Sequence, residues 1–202
     1  MATITADQVK KLRDQTGAGM MECKAALTEA NGDLENATTI LRKRGLASAA
    51  KKAGRTTSQG VVGSYIHLGG TVGVLVEINC ESDFVGRTDQ FQTLVKEVAM
   101  HIAAADPKYV RREDVPADVL EKERSIYRAQ AESSGKPAGV IEKIVEGKLG
   151  SFYSQAVLLE QPSIRDTAVT IQQLVAEASA KLGENIAISR FARFRVGEVA
   201  SS

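Results

Sequence analysis

The sequence predicts an α+β protein: a helical amino-terminal module, then a small antiparallel sheet packed with helices, with a helical hairpin in the second half. Three observations carry that prediction. Apolar residues recur at helical spacing along most of the chain, while only the stretches "GVVGSYIHL" and "TVGVLVEINC" are rich in β-branched residues, and these meet at Gly69-Gly70, the chemistry of a tight hairpin turn. A length of 202 residues suits one core plus a small satellite. The expected organisation is a three-helix domain over 1–45, a linker over 46–59 and an α+β core domain over 60–202, with the helical hairpin at about 116–156.

Each element has a local reason. Thr5 and Gln8 have the spacing of a capping box, so a first helix should start at Ala6, carry Val9 and Leu12 inward and stop at "TGAG". A second helix through "MMECKAALTEA" should end at Asn31-Gly32. A third should open with Asp33 as N-cap and end at Gly45 in a left-handed cap. "LASAAKKAGRTTSQG" then reads as a tether, partly helical at most, whose three positive charges are solvated. After the hairpin, Phe91, Leu94, Val95, Val98 and Ile102 mark an amphipathic helix stopped at Asp106-Pro107. Two helices should flank "SSGKP". The second carries the stripe Ile141, Ile144, Val145, Leu149, Phe152 and Tyr153, interrupted by Lys148. A last helix is expected over "DTAVTIQQLVAEASAKLG", followed by a strand pointing Ile186, Ile188, Phe191, Phe194 and Val196 inward around a bulge near Ala192.

Composition narrows the function. Hydrophobic residues make up 43% and charged residues 25%, ordinary for a globular protein, and 26 basic against 25 acidic residues leave a net charge of +1. No broad field exists to hold a polyanion, and aromatics for base stacking are scarce at 4%, so direct nucleic-acid binding is not expected. Cys23 and Cys80 stand apart, without the clustered partners of a zinc site or disulfide framework. The segment "MATITADQVKKLRD" is charged where a signal peptide needs apolar residues, and no run is long enough to span a bilayer. A cytoplasmic location without membrane attachment is therefore expected. Neither a phosphate loop nor a G-x-G-x-x-G turn is present, and His67 and His101 are the only histidines, so no cofactor, metal or catalytic residue is assigned.

Two segments stand out. In "NCESDFVGR", residues 79–87, a phenylalanine appears where the chain leaves a strand. Phe84 either tucks back against the sheet while Asp83 caps the next turn, or stands exposed for another protein. In "TGAGMMECKAAL", Met20 and Met21 either complete the core or, because neighbouring helical positions point about 100° apart, leave one thioether outside as a docking surface. His101 reads as a hydrogen-bonded imidazole on or partly inside its helix.

"LRDQTGAGMMECKAALTEANGD" and "EINCESDFVGR" are very similar to the two signature segments of the bacterial elongation factor Ts family, and the likeness continues through "AMHIAA", "SGKP", "EKIVEGKLG" and "RFRVGE". It covers nearly the whole chain. Ser82 and Gly86 depart from the family's T-D-F-V-A pattern, which implies a looser backbone rather than a lost function. The resemblance implies a UBA-like amino-terminal domain and a non-enzymatic guanine-nucleotide exchange factor for elongation factor Tu. In that family the Asp-Phe pair enters the GTPase near its Mg²⁺ site and disturbs the ion's coordination. Here that role would fall to Ser82, Asp83, Phe84 and Val85. Docking would fall to Arg13, Gly17, Met20 and Met21, with His101 and its helix reaching another domain of the partner.

The chain looks like the family's short form, with one copy of a subdomain that longer relatives carry twice. A homodimer would restore the pair, held by the part of the Ile141–Phe152 stripe that Val119, Leu120, Ile126 and Tyr127 cannot cover. Two alternatives remain open: a ubiquitin-associated-like peptide binder using the first 45 residues, and a metal-dependent enzyme using His67, His101 and Cys80.

Overall fold

A computed structural model describes residues 4–133, 135 and 137–198. In chain order it comprises α1 (Ala6–Thr16), α2 (Met20–Glu29), α3 (Leu34–Lys52), β1 (Gln59–Ile66), β2 (Val72–Cys80), α4 (Asp83–Gly86) and α5 (Asp89–Ala105). There follow α6 (Ala117–Glu132), α7 (Ala138–Ala156), α8 (Ile171–Leu182) and β3 (Ala187–Arg195). The strands form one antiparallel sheet in the order β1-β2-β3, so the fold is α+β. Contacts group the residues into two units, Met1–Val62 with Glu77–Val95 and Gln173–Ile188, and Gly63–Val76 with Lys96–Gln172 and Ser189–Ser202.

In the first unit the predicted capping box is present. Thr5 Oγ1 accepts the Gln8 amide at 3.3 Å while Gln8 Oε1 accepts the Thr5 amide at 2.9 Å, satisfying two donors that a helix start leaves open. α1 ends because Gly17 turns left-handed at φ 67° and gives its N–H to the Arg13 carbonyl. Val9 and Leu12 then meet Cys23, Ala26, Leu27, Ala30 and Ala37, with Ile4, Ala18, Leu34, Ile40 and Leu41 around the edge. Asp33 caps α3 through the Glu35 and Asn36 amides, as its position predicts.

α3 does not stop at Gly45. It runs on to Lys52, because the leucine, alanines and lysines of "LASAAKK" are helix formers, and Gly45 faces α8 with room to spare, a Cβ there lying 3.5 Å from the Ala180 Cβ, an ordinary contact distance. Arg42 pairs with Glu177 at 3.2 Å and Lys52 Nζ donates to the Ser179 carbonyl, so the continued helix is tied to α8. α8 itself begins five residues later than predicted. The Asp166 carboxylate accepts the Ala168 amide and its carbonyl accepts the Val169 amide, which closes a turn instead of a helix.

β2 alternates as a half-buried strand should, with Val74, Val76, Ile78 and Cys80 inside and Leu75 outside. The β1–β2 connection closes through Gly70 N–H to the His67 carbonyl, with Gly69 at φ 88°. On α5, Phe91, Leu94, Val95, Val98 and Ile102 are all buried.

In the second unit α6 and α7 form the expected hairpin, although Ser134 and Lys136 of its "SSGKP" connection lie outside the described residues. Arg124 pairs with Glu146 and Arg128 with Glu142, a descending order that makes the two helices antiparallel. Val145 and Leu149 are buried, and Ile141, Ile144, Phe152 and Tyr153 half-buried, within a single chain. The apparent interruption at Lys148 is explained by its reach to Gln130 and over the Tyr127 ring, which lets its methylenes cover apolar surface. Beside the half-buried stripe, Ile126 of α6 and Val140 of α7 are exposed.

β3 departs from its predicted pattern. Burial shifts phase between Ile188 and Phe191 rather than near Ala192, so Phe194 and Val196 point outward and Arg193 points in. The reason is polar: the Arg193 guanidinium donates to the Ala103 carbonyl at 3.3 Å, one of the carbonyls the end of α5 leaves unpaired, and pairs with Asp106 and Glu198.

Candidate functional site

Where β2 ends, the chain makes an abrupt polar turn. Ser82, in extended conformation, is the N-cap of the four-residue α4, its hydroxyl accepting the Val85 amide at 3.4 Å; Asp83 is not the cap. The Glu184 carboxylate, just after α8, gathers three donors from this turn. Oε2 accepts the Glu81 and Ser82 amides, each at 3.0 Å, and Oε1 accepts the Ser82 hydroxyl at 2.6 Å. In return the Glu81 carboxylate accepts the Asn185 amide at 2.6 Å, and Asn185 Nδ2 donates to the Ala53 and Arg55 carbonyls.

On α4 itself the two faces differ sharply. Val85 and Gly86 are buried, while Phe84 is 76% exposed. Asp83 pairs with Arg87 at 2.9 Å, but both side chains are well exposed, so that pair holds Asp83 only weakly. Cys80 beneath the turn donates to the Ser82 carbonyl. Burial, then the Glu184 charge, raises its thiol above the usual range, so it sits protonated.

A second group lies at the α1–α2 turn. Arg13 and Gly17 are exposed, and so are both methionines, Met20 at 57% and Met21 at 76%. Neither is needed inside, because Cys23, Ala26 and Leu27 already form the buried face of α2 and Ala18 closes its start.

His101, by contrast, is 1% exposed. Its Nδ1 accepts the Ile164 amide at 3.4 Å, which fixes the proton on Nε2 for donation to Gln161 Oε1 at 2.8 Å. Burial lowers its basicity below the usual value, with the Gln161 hydrogen bond acting partly against that shift. Within the chain this imidazole fastens α5 to the Gln161–Ile164 segment. The side chains of the metal-enzyme alternative are engaged separately, His67 with the Tyr65 hydroxyl, His101 with Gln161 and Cys80 with Ser82. Among the described residues no three His, Cys, Asp or Glu side chains are grouped to hold a metal ion. None of the described helices is long and apolar enough to cross a membrane.

The model of the family "Elongation factor TS" matches residues 5–198. The chain belongs to the elongation factor Ts family. It is 63% identical over 196 residues to the elongation factor Ts of Koribacter versatilis, covering 97% of this chain and 90% of that protein. It is 62% identical over 195 residues to that of Caldanaerobacter subterraneus subsp. tengcongensis, covering 96% and 98%. Over its full length it is 58% identical to that of Solibacter usitatus, covering 95% of the relative. The chain is thus a translation elongation factor.

As a member of the elongation factor Ts family it departs from the expected pattern at two positions of the turn. Ser82 keeps the hydroxyl that both caps α4 and meets Glu184. Gly86 leaves a space: a Cβ would meet Cys80 Sγ at 3.6 Å and the Gly60 carbonyl and Val61 Cγ2 at 3.9 Å, ordinary contact distances. Sequence reasoning found the turn but missed Glu81, Glu184 and Asn185. Only the position of "GEN" directly after a helix marked them, and nothing local pointed from Glu184 to Ser82 102 residues away.

Gly86→Ala should therefore raise stability by roughly 0.4–1 kcal/mol, by restricting the unfolded chain and filling that space; urea unfolding showing a loss instead would mean the turn has no room for a methyl. The buried His101 gives a pH dependence of definite sign. Its folded pKa lies below the unfolded value of about 6.5, so below that pH the unfolded chain takes up the proton first and stability falls, by up to about 1.4 kcal/mol per pH unit. The thermal midpoint should drop between about pH 7 and 5.5, and the drop should flatten in His101→Gln but persist in His67→Gln.

Proposed function

We propose that the chain is a guanine-nucleotide exchange factor that works in the cytoplasm. It binds elongation factor Tu carrying GDP, disturbs that GTPase's Mg²⁺ site and speeds release of the nucleotide, making and breaking no covalent bond. The observation that carries this reading is Phe84, a large apolar ring 76% exposed on a helix whose opposite face is pinned by buried Val85. Leaving such a ring in water forgoes about 1.5–3 kcal/mol of burial, which a partner's interior can return.

Asp83 is suited to the same task, since its exposed pairing with Arg87 can be given up at little cost. Mg²⁺ demands near-octahedral geometry and bridges phosphate charge, so a small displacement of its surroundings loosens the nucleotide. The need for a factor follows from rates: GDP held at about nanomolar affinity with ordinary association leaves only about once in a thousand seconds. Linkage then makes the factor and GDP mutual antagonists on the GTPase.

Arg13, Gly17, Met20 and Met21 form the docking surface of this reading, two adaptable thioethers beside an exposed left-handed glycine turn that the Lys181 side chain flanks. A contact from the region of His101 falls to exposed Ile164, whose backbone the imidazole holds.

Phe84→Ala should melt within about 0.5 kcal/mol of the native protein, yet slow release of a fluorescent GDP from elongation factor Tu roughly 30-fold, as truncation of a buried interface aromatic costs about 2 kcal/mol. A large loss of stability with unchanged exchange would sink the reading.

We also propose that the factor is a homodimer. The hairpin stripe, half-buried at Ile141, Ile144, Phe152 and Tyr153, gives this little support; the outer face of the sheet gives more. There Ile66, Leu75, Phe194 and Val196 are all exposed and line a groove of about 410 Å³. Light scattering at micromolar concentration should give a mass near 43 kDa, twice 21.6 kDa, and Phe194→Glu should halve it. A native mass of 21.6 kDa makes the chain a monomer.

A further inference from the structure

We propose that Glu184 is a positioning residue for exchange: its carboxylate sets the direction in which α4 presents Asp83 and Phe84. The inference rests on the exchange reading and goes beyond it, to a residue on a different element.

A four-residue helix does not hold itself in water, because nucleation fixes several residues for each bond gained. The internal bonds of α4 are accordingly long, with the Gly86 amide 3.4 Å from the Ser82 carbonyl and the Arg87 amide 3.2 Å from the Phe84 carbonyl. It is fixed from outside at three places: the buried Val85, the Gln92 side chain that donates to the Gly86 carbonyl at 2.7 Å at its exit, and the clasp at its entrance. In that clasp the Glu184 carboxylate accepts the Glu81 and Ser82 amides and the Ser82 hydroxyl, and Glu81 accepts the amide of Asn185. Bonds to a charged acceptor are roughly twice as strong as neutral ones.

Glu184 is itself anchored, since its carbonyl accepts the hydroxyl of buried Ser179 at 2.5 Å and Asn185 is fastened to the Ala53 and Arg55 carbonyls. The end of α8 is thus a fixed post, and the turn is tied to it. Cutting the tie frees the entrance of the turn at Glu81–Ser82, while its far end stays held by buried Val85 and by the Gln92 side chain on the Gly86 carbonyl, so α4 can pivot about that end and swing Asp83 and Phe84. A misplacement of about 1 Å is enough to cost a directed contact a hundredfold.

The test has two arms. In the first, hydrogen exchange is followed at the Gly86, Arg87 and Thr88 amides, which bond within the turn and not to Glu184. Glu184→Ala should speed their exchange severalfold while the amides of α2 stay as they are; unchanged rates at all three would overturn the proposal. In the second arm, GDP release from elongation factor Tu is measured for Glu184→Ala in the native and Phe84→Ala backgrounds. The substitution should slow release roughly ten- to hundredfold with Phe84 present and little with it absent. An equal loss in both backgrounds would show an effect unrelated to Phe84 and would also overturn it.

Should Glu184→Ala not fold, Glu184→Gln keeps the length and one accepting oxygen and should move both readouts the same way by less. If the native chain releases no GDP at all, the exchange reading fails by itself, while the amides of the turn still report whether Glu184 holds it.

Discussion

Three donors on one carboxylate set the terms for the exposed end of this molecule. Where β2 runs out, the Glu81 and Ser82 amides have lost their ladder partners and have not yet gained helical ones, and unpaired donors at a partly buried site are costly. Glu184 answers both and the Ser82 hydroxyl as well. That single solution lets the chain turn sharply enough to put Val85 inside and Phe84 outside within two residues. A longer helix would have satisfied its own backbone, but it would have spread the turn and moved the ring.

The amino-terminal module follows a related logic. Its buried set is small, Val9, Leu12, Cys23 and Leu27 with three alanines, so local devices matter: a capping box before α1, a left-handed glycine after it and an aspartate before α3. α3 then adds what the core lacks: Arg42 pairs with Glu177 of α8, and the overrun beyond Gly45 brings Lys52 to the Ser179 carbonyl. Among the described residues of this module, the large apolar side chains left exposed are Met20 and Met21, which the core does not need.

What could be read in the sequence was whatever its neighbours decide. Thr5 with Gln8, Asp33, the alternation of β2 and the stripe of α5 are determined within a few residues, and they fell where expected. What was misread depends on distant groups. Gly45 looks like a stop until Lys52 beyond it is tied to the Ser179 carbonyl. Phe194 looks like a core residue until Arg193 is needed at the end of α5. At the candidate site, Phe84 and Asp83 were visible as an anomaly in their own segment, whereas Glu184 looks like any glutamate after a helix. His101 was legible as a hydrogen-bonded imidazole, but the depth of its burial was not, because Gln161 and Ile164 come from 60 and 63 residues away.

The arrangement of β3 bears on colloidal behaviour. In a sheet of order β1-β2-β3 the first and last strands both show an edge, and an edge is a template onto which another chain can add. β1 is broken by Gly60 and Gly63, which makes it a poor template. β3 is longer and carries Phe191 and Phe194, but the exposed Arg190 and Arg195 flank them, so two molecules brought edge to edge would align like charges. That protection is electrostatic. Concentrated salt shortens its range to about 3 Å while leaving the phenylalanines as sticky as before, so clumping in strong brine is the natural failure of this sheet.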